Sequence, residues 1–187
     1  AFRLADEEGL PLLDLKDLQA LLAAVSQLHP VAGRMQSIPN TIGAQLIVDY
    51  AHTPDALDQV LRALKPHVEG ALITVFGCGG DRDRRKRQVM GRVACQWSDR
   101  VVVTSDNPRG EDPLAIMTEI ATGCSGDYQL VGSRAEAIRI AVQAARPGDC
   151  VVIAGKGHEN YQIIDAQRLY FSDEEQVLEA LAGRAAS

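Results

Sequence analysis

The chain has 187 residues, of which 46% are hydrophobic and 24% are charged, and its formal net charge is −6. This length allows one ample core, or one domain and a fragment of another, and the composition is globular rather than disordered or membrane-spanning. The negative charge argues against non-specific binding of nucleic acid. The first residues lack a basic stretch followed by an apolar one, so we predict no signal peptide and a cytoplasmic protein.

The first thirty residues differ in pattern from the rest. Leucines at helical spacing predict an amphipathic helix over Asp14–Leu28. The following stretch "HPVAGRMQSIPN" contains two prolines and a glycine, which is typical of a hinge. We therefore predict a helix and a linker over residues 1–30 and a separate domain over residues 31–187.

Short apolar runs alternate with helical patterns through the rest of the chain. The predicted strands are Leu46–Tyr50, Ala71–Phe76, Arg100–Thr104, Tyr128–Val131 and Cys150–Ala154. The predicted helices are Pro54–Lys65, Lys86–Gln96, Asp112–Thr122 and Arg134–Ala145. This alternation predicts a Rossmann-like α/β fold, with a mostly parallel sheet and helices on both of its faces. An antiparallel hairpin of Tyr161–Ile164 and Arg168–Phe171 and a last helix over Asp173–Leu181 complete the prediction.

Four loops that follow predicted strands carry most of the chemically active side chains. In sheets of this kind, ligands bind outside the carboxyl ends of the strands, so these loops form the predicted site. They are "DYAHTPD" (Asp49–Asp55), "GCGGDRDRRKR" (Gly77–Arg87), "SDNPRGED" (Ser105–Asp112) and "AGKGHEN" (Ala154–Asn160).

The glycine-rich loops match neither standard nucleotide fingerprint. G-x-G-x-x-G fails because Arg82 stands where the last glycine belongs, and Lys156 is followed by glycine instead of Ser or Thr. A nicotinamide-dependent reductase is therefore disfavoured. The basic cluster Arg82–Arg87 could bind a small anion together with the backbone N–H groups of the loop, although a plain tight turn is equally compatible.

The loop "SDNPRGED" predicts a carboxylate site. Pro108 restricts the turn, so that Arg109 points in a defined direction, and a guanidinium grips a carboxylate through two parallel hydrogen bonds. Asn107 could add a donor or an acceptor. Equally compatible with the sequence is a surface pair between Arg109 and Glu111 or Asp112.

Two further loops offer groups of other kinds. Glu159 and the Gly155 carbonyl could receive an ammonium group, or they could belong to a simple glycine turn. Asp49 could accept a hydrogen bond from a ribose hydroxyl, and His52 could reach a phosphate, although helix capping or a core role explains both equally well. Four widely spaced cysteines without a C-x-x-C pair predict reduced thiols and neither zinc nor a disulfide framework.

Taken together and in order, six segments resemble the C-terminal domain of the Mur ligases over about four fifths of the chain. Within that family the resemblance is greatest to the ligases that add meso-2,6-diaminopimelate. The segments are "GRMQ", "DYAHTPDAL", "VFGCGGDRDRRKR", "DNPRGEDP", "SRAEAI" and "AGKGHENYQII". The resemblance implies an ATP-dependent amide ligase of the bacterial cytoplasm. With the help of Mg²⁺, it would extend UDP-MurNAc-L-Ala-D-Glu during synthesis of the peptidoglycan precursor.

The resemblance also implies roles for single residues. Arg109, helped by Asn107 and Arg82, would bind the carboxylate that distinguishes diaminopimelate from lysine, while Glu159 and the Gly155 carbonyl would receive the ammonium. The implied diaminopimelate site comprises Arg82, Asp106, Asn107, Pro108, Arg109, Gly155 and Glu159. The implied ATP contacts are Arg34, Asp49 and His52. No residue of the chain matches a catalytic or metal-binding position of the family.

Departures from the family limit what this chain is expected to do. The resemblance implies that only the helix within residues 1–30 remains from the central ATPase domain of the family. The phosphate loop and metal-binding side chains of that domain are missing, as is the UDP-binding domain, so we predict that this polypeptide alone forms no amide bond. Gln36 and Gln88 replace an acidic residue and a proline of the family pattern. Two alternatives stay open: a lysine-adding Mur ligase domain, and a stand-alone binding module for a small zwitterion or a nucleotide.

Overall fold

The computed structural model describes residues 32–185. The helix predicted over Asp14–Leu28 lies outside these residues. So does the rest of the predicted first segment, residues 1–30. Within the described residues no helix is long and apolar enough to cross a membrane.

Six strands form one sheet, in the spatial order β1-β2-β6-β3-β4-β5. The strands are β1 (Gln36–Ser37), β2 (Gln45–Asp49), β3 (Leu72–Phe76), β4 (Arg100–Thr104), β5 (Tyr128–Val131) and β6 (Cys150–Ala154). All neighbours pair in parallel except β1, which runs antiparallel to β2 at one edge. The predicted mostly parallel sheet is thereby confirmed, and the parallel strands all end at the same edge.

Five α-helices were found among the described residues, and they cover both faces of the sheet. They are α1 (Pro54–Leu64), α2 (Arg85–Trp97), α3 (Pro113–Ala121), α4 (Arg134–Ala144) and α5 (Asp173–Ala185). One buried cluster joins α1, α2 and α3 to the strands, and a second joins α4 and α5 to the opposite face. Val101 and Val103 belong to the first cluster and Val102 to the second, which explains why the strands are apolar along their whole length.

Side chains cap the starts of three helices, and these caps fix where the preceding loops end. The side chains of Thr53, Asp112 and Ser133 accept hydrogen bonds from backbone N–H groups in the first turns of α1, α3 and α4. Because proline occupies the first turn of α1 and α3, the preceding loops end at a fixed residue.

The C-terminal hairpin is a separate two-stranded sheet of β7 (Tyr161–Ile164) and β8 (Gln167–Tyr170). It is tied to the loop that follows β4. The Arg109 N–H donates to the Ile163 carbonyl at 3.0 Å, and the Asp165 N–H donates to the Arg109 carbonyl at 2.8 Å. The hairpin therefore fixes the backbone of Arg109.

Several element boundaries differ from the predicted ones. The short strand β1 was missed, because two polar residues at a sheet edge carry no apolar pattern. β2 begins and ends one residue earlier than predicted, and β8 is likewise shifted by one residue. The last helix continues to Ala185 instead of ending at Leu181, and Arg184 in its last turn donates from Nη1 to the Val142 and Ala145 carbonyls at 2.9 and 2.6 Å.

Candidate functional site

A cavity of about 450 Å³ opens at the carboxyl ends of the parallel strands. Loops after β2, β3, β4 and β6 surround it, and the hairpin contributes Tyr161. Its lining residues are Tyr50, His52, Thr53, Gly79, Arg82, Asp83, Lys86, Asp106, Asn107, Arg109, Gly155, Glu159 and Tyr161. The structure thus brings the four loops that carry the predicted site residues together around one cavity.

Most of the residues predicted for the amino-acid site line this cavity. Seven of the ten predicted site residues are in its wall: His52, Arg82, Asp106, Asn107, Arg109, Gly155 and Glu159. Pro108 is buried behind the wall, where its carbonyl accepts from the Glu111 N–H at 3.1 Å. Arg34 and Asp49 lie outside the lining, next to Tyr50.

Asn107 is a hydrogen-bonding centre in the floor of the cavity. Its Oδ1 accepts from Lys156 Nζ at 3.0 Å and from the Ile163 N–H at 2.9 Å. Its Nδ2 donates to Glu159 Oε2 at 3.2 Å. The orientation of the amide is fixed, because two donors face its oxygen and a carboxylate acceptor faces its nitrogen.

A buried charge pair lies beside Asn107. Lys156 is fully buried and donates to Asp106 Oδ1 at 3.0 Å. Burial alone would raise the pKa of Asp106, but the charges of Lys156 and Arg134 and the hydrogen bond from Lys156 hold that pKa below its usual value. Asp106 therefore carries a negative charge at neutral pH.

Arg109 is held in an unusual conformation. Its φ is 53°, in the left-handed region, where the bonds to the hairpin hold it. Its Nη1 donates to the carbonyls of Gly80 and Asn107 at 3.0 and 3.3 Å. Gly79 makes room for this side chain, because a Cβ there would come within 2.9 Å of Nη1.

The alternative in which Arg109 pairs with Glu111 or Asp112 is wrong. Glu111 accepts two hydrogen bonds from the buried Arg87, at 2.8 and 2.9 Å, and Asp112 caps α3. Within residues 32–185 no carboxylate pairs with Arg109. Its guanidinium can therefore receive an acidic group from a ligand.

The basic cluster Arg82–Arg87 divides into two sets. Arg84, Arg85 and Arg87 each form an ion pair with a carboxylate of the chain itself. Arg82 and Lys86 line the cavity, where Lys86 donates to the His52 carbonyl at 2.8 Å. Only this second set faces the space that a bound anion would occupy.

Asp49 serves the local structure at the end of β2. It is buried, and its two oxygens accept from the Met35 and Ala51 N–H groups, each at 2.7 Å. These bonds hold the turn that carries Arg34 close to Tyr50, with the guanidinium 5.4 Å from the ring centre. His52 Nδ1 lies 2.9 Å from the Tyr50 carbonyl, and the His52 side chain is exposed at the cavity mouth.

Comparison with known proteins assigns the chain to a family. The profile described as "Mur ligase, glutamate ligase domain" matches residues 33–157, about two thirds of the chain. The chain belongs to the Mur ligase family. A second profile, described as Helicase HerA-like C-terminal, matches residues 1–47; the described part of that stretch contains β1 and the start of β2, which belong to the Mur ligase sheet.

Relatives of this Mur ligase domain carry a specific name. The UDP-N-acetylmuramoyl-L-alanyl-D-glutamate–2,6-diaminopimelate ligase of Synechococcus elongatus is 48% identical over 170 residues, covering 89% of this chain and 34% of the relative. A solved structure of a ligase with the same name matches with a TM-score of 0.80 and 46% identity, covering 91% of this chain and 35% of that one. The chain thus spans about a third of the length of these relatives.

A more distant Mur ligase shares the fold. The MurF ligase structure from Thermotoga maritima matches with a TM-score of 0.56 and 18% identity, over 92% of this chain and 34% of that one. At this identity the similarity concerns the fold alone.

Two buried cations of the Mur ligase domain escaped the sequence interpretation. In the sequence, Lys156 is informative only because the glycine after it breaks the phosphate-loop pattern. Arg134 is fully buried and forms two 2.7 Å hydrogen bonds with Asp173 and one of 3.0 Å with the Ala154 carbonyl. Its position at the start of α4, inside the segment "SRAEAI", was the available signal, since the helix dipole disfavours a cation at a helix start unless the cation has a carboxylate partner.

The remaining groups that could take part in redox or metal chemistry are the cysteines and the clusters of possible metal ligands. All four cysteines are free thiols in this structure, and burial raises the pKa of Cys78 to about 12. A search of the described residues found no group of three or more His, Cys, Asp and Glu side chains that could hold a metal ion.

Proposed function

We propose that this chain is the amino-acid-binding domain of an ATP-dependent ligase that adds meso-2,6-diaminopimelate to UDP-MurNAc-L-Ala-D-Glu. The observation that carries the proposal is that Arg109, Asn107 and Glu159 line one and the same cavity. Named relatives at 46–48% identity over about nine tenths of the chain support it. The compartment would be the cytoplasm, where a UDP-linked precursor and ATP are both available.

The cavity offers opposite charges for a zwitterionic ligand. Arg109 and Arg82 would bind the terminal carboxylate, and the Asn107 amide would stand beside it. Glu159 and the Gly155 carbonyl would receive the adjacent ammonium. Asp106 would form part of the wall, where it is paired with Lys156, and the buried Pro108 would support the wall from behind.

The same arrangement would discriminate against lysine. Lysine lacks the terminal carboxylate, so its binding would cover the Arg109 guanidinium without giving it an anionic partner. A site that pairs a polar group of the correct substrate can reject an analogue lacking it by roughly 10⁴-fold. Discrimination of this kind separates the proposal from a lysine-adding domain.

ATP would be shared with the rest of the enzyme. Arg34 and His52 are exposed near Tyr50 and could contact the nucleotide, while Asp49 would hold the Arg34 turn in place. The MurF ligase structure that shares this fold was solved in complex with ADP. Mg²⁺ would assist phosphoryl transfer on ligands from the missing central domain. The missing N-terminal and central domains are thus the required partners of this chain.

The proposal is tested in the full-length ligase by comparing turnover of diaminopimelate and lysine. We expect the intact enzyme to prefer diaminopimelate strongly. Arg109→Ala should lower kcat/KM for diaminopimelate by about 10²-fold or more, because a charged hydrogen-bonding partner is lost. The matched control is Arg92→Ala, an exposed arginine of α2 outside the cavity. Equal use of lysine by the intact enzyme would refute the proposal.

A further inference from the structure

Lys156 lies beneath the candidate amino-acid site without lining it. Its side chain is 0% exposed, and its ammonium has three oxygen neighbours. Asp106 Oδ1 and Asn107 Oδ1 are each 3.0 Å away, and Glu159 Oε2 is 3.6 Å away. All three of these neighbours are in the cavity wall. Lys156 thus contacts three wall residues from behind.

The ammonium restricts how Asn107 can point. A lysine side chain is a donor only, so the Asn107 atom that faces it must be the carbonyl oxygen. The Ile163 N–H imposes the same choice from the hairpin side, at 2.9 Å. Nδ2 then faces Glu159, and this contact of 3.2 Å holds the Glu159 carboxylate in the cavity.

The ammonium also sets the local charge. Asp106 and Glu159 bring two negative charges to the floor of the cavity, and Lys156 neutralises one of them. The other buried cation nearby, Arg134, also acts on Asp106 through its charge, but its hydrogen bonds go to Asp173 and to the Ala154 carbonyl. It therefore cannot replace the hydrogen bonds that Lys156 donates to Asp106 and Asn107. Without Lys156 the buried Asp106 would lose its ion-pair partner, and Glu159 would lose the ammonium that lies 3.6 Å from its Oε2.

We propose that Lys156 is a positioning residue of the amino-acid site. It fixes Asn107 beside the position of the ligand's terminal carboxylate and Glu159 at the position of the adjacent ammonium, and it does not itself touch the ligand. This inference rests on the proposed function. It assigns to the lysine of "AGKGHEN" a task that is distinct from phosphate binding.

The first test replaces Lys156 by methionine in the full-length ligase. We expect the KM for diaminopimelate to rise about 10- to 100-fold, the loss that one charge-assisted hydrogen bond carries. The KM for ATP should change by less than about 3-fold, because Lys156 contacts only the amino-acid side of the cavity. The control is Lys65→Met, which removes a surface lysine paired with Asp99. Equal rises in both KM values would indicate a general loss of structure and overturn the proposal.

A second variant guards against misfolding. Lys156→Met leaves Asp106 buried without its partner, whereas the double variant Lys156→Met with Asp106→Asn removes both charges and should unfold at a temperature close to that of the unmodified enzyme. The double variant still lacks the donor to Asn107, so its KM for diaminopimelate should stay within about 3-fold of the single variant. Recovery of the original KM by the double variant would overturn the positioning role.

The assay separates this inference from the proposed function. The unmodified ligase is assayed first with diaminopimelate and with lysine, which tests the proposed function by itself. If lysine were the substrate, the variants would be measured with lysine, and the same selective rise in its KM would still support the role of Lys156. An unchanged KM for whichever amino acid is used would refute that role.

Discussion

Gly79 leaves the space that the Arg109 guanidinium occupies. A Cβ at Gly79 would meet the mobile end of the arginine side chain, whereas a Cβ at Gly80 would lie 1.9 Å from the Pro108 carbonyl oxygen, which belongs to the backbone. The two adjacent glycines therefore have different tasks. Gly79 protects the direction of one side chain, and Gly80 allows two loops to approach each other.

This difference leads to a prediction for Gly79→Ala. The added methyl should displace the Arg109 guanidinium and leave the backbone in place, so the KM for diaminopimelate should rise by about 10-fold while thermal stability of the full-length ligase hardly changes. Gly80→Ala should instead lower the unfolding temperature. Gly132→Ala is the control, because a Cβ there meets nothing within 4 Å. Loss of stability in Gly79→Ala without an effect on KM would contradict this assignment.

At the scale of elements, the hairpin of β7 and β8 acts as a strap over the loop after β4. Besides the two backbone hydrogen bonds at Arg109, Gln162 Nε2 donates to the Asp106 carbonyl at 2.7 Å. The strap is the reason why a non-glycine residue can keep a positive φ at position 109.

Loosening the strap should be visible in hydrogen exchange. We expect Gln162→Met to increase amide exchange in the segment 105–112, because one of the bonds that holds the hairpin on the loop is lost. The measurement is exchange followed by mass spectrometry, with Gln167→Met on the exposed strand β8 as control. Unchanged exchange in this segment would show that the two backbone bonds suffice.

Most helices and strands could be predicted from the sequence, whereas contacts between side chains far apart in the sequence could not. Apolar runs such as Val101–Val103 identified the central strands, because strands buried on both faces need apolar residues at every position. The two polar residues of β1 gave no such signal. Lys156 and its partners Asp106 and Asn107 are about fifty positions apart, so their contact could only come from the assembled sheet. The gathering of the four loops at one edge of the sheet was predictable, because parallel strands end at the same edge. The pairing of Glu111 with Arg87 instead of Arg109 was not.

At the scale of the whole molecule, carboxylates with low pKa values link stability to pH. Hydrogen bonds from Arg87, together with the Asp81 N–H, lower the pKa of Glu111 from 4.5 to about 2. The pKa of Asp106 is also lowered, against the effect of its burial, by Lys156 and Arg134. In both cases the unfolded chain binds protons more readily, so the stabilisation is present above the unfolded pKa and is lost as pH falls through the folded one.

We therefore expect the free energy of unfolding to fall between pH 5 and about pH 2. Glu111→Gln should lower stability at pH 7 by about 1–3 kcal/mol, since the buried Arg87 loses a charged partner, and should make the acid-side decrease shallower. Urea denaturation at several pH values measures both effects. Glu174→Gln, at an exposed position of α5, is the control; an unchanged acid slope in Glu111→Gln would exclude Glu111 as a source of this linkage.

The chain by itself should not catalyse amide formation. Mixed with ATP, Mg²⁺, diaminopimelate and UDP-MurNAc-L-Ala-D-Glu, it should release no phosphate above background, because the phosphate cradle and metal ligands of the family are absent from its sequence. The full-length ligase under the same conditions is the positive control. Sustained phosphate release by the chain alone would contradict the division of tasks between domains.

The strap has a consequence for the order of events during synthesis. Ribosomes make β4 and its loop some fifty residues before the hairpin that fixes Arg109, and Asp173, which neutralises Arg134, follows later still. A nascent chain that ends before β7 can pair its first strands, but it cannot hold Arg109 and Asn107 in their final geometry. Competence to recognise the amino acid would therefore arise late in translation, after most of the sheet has formed.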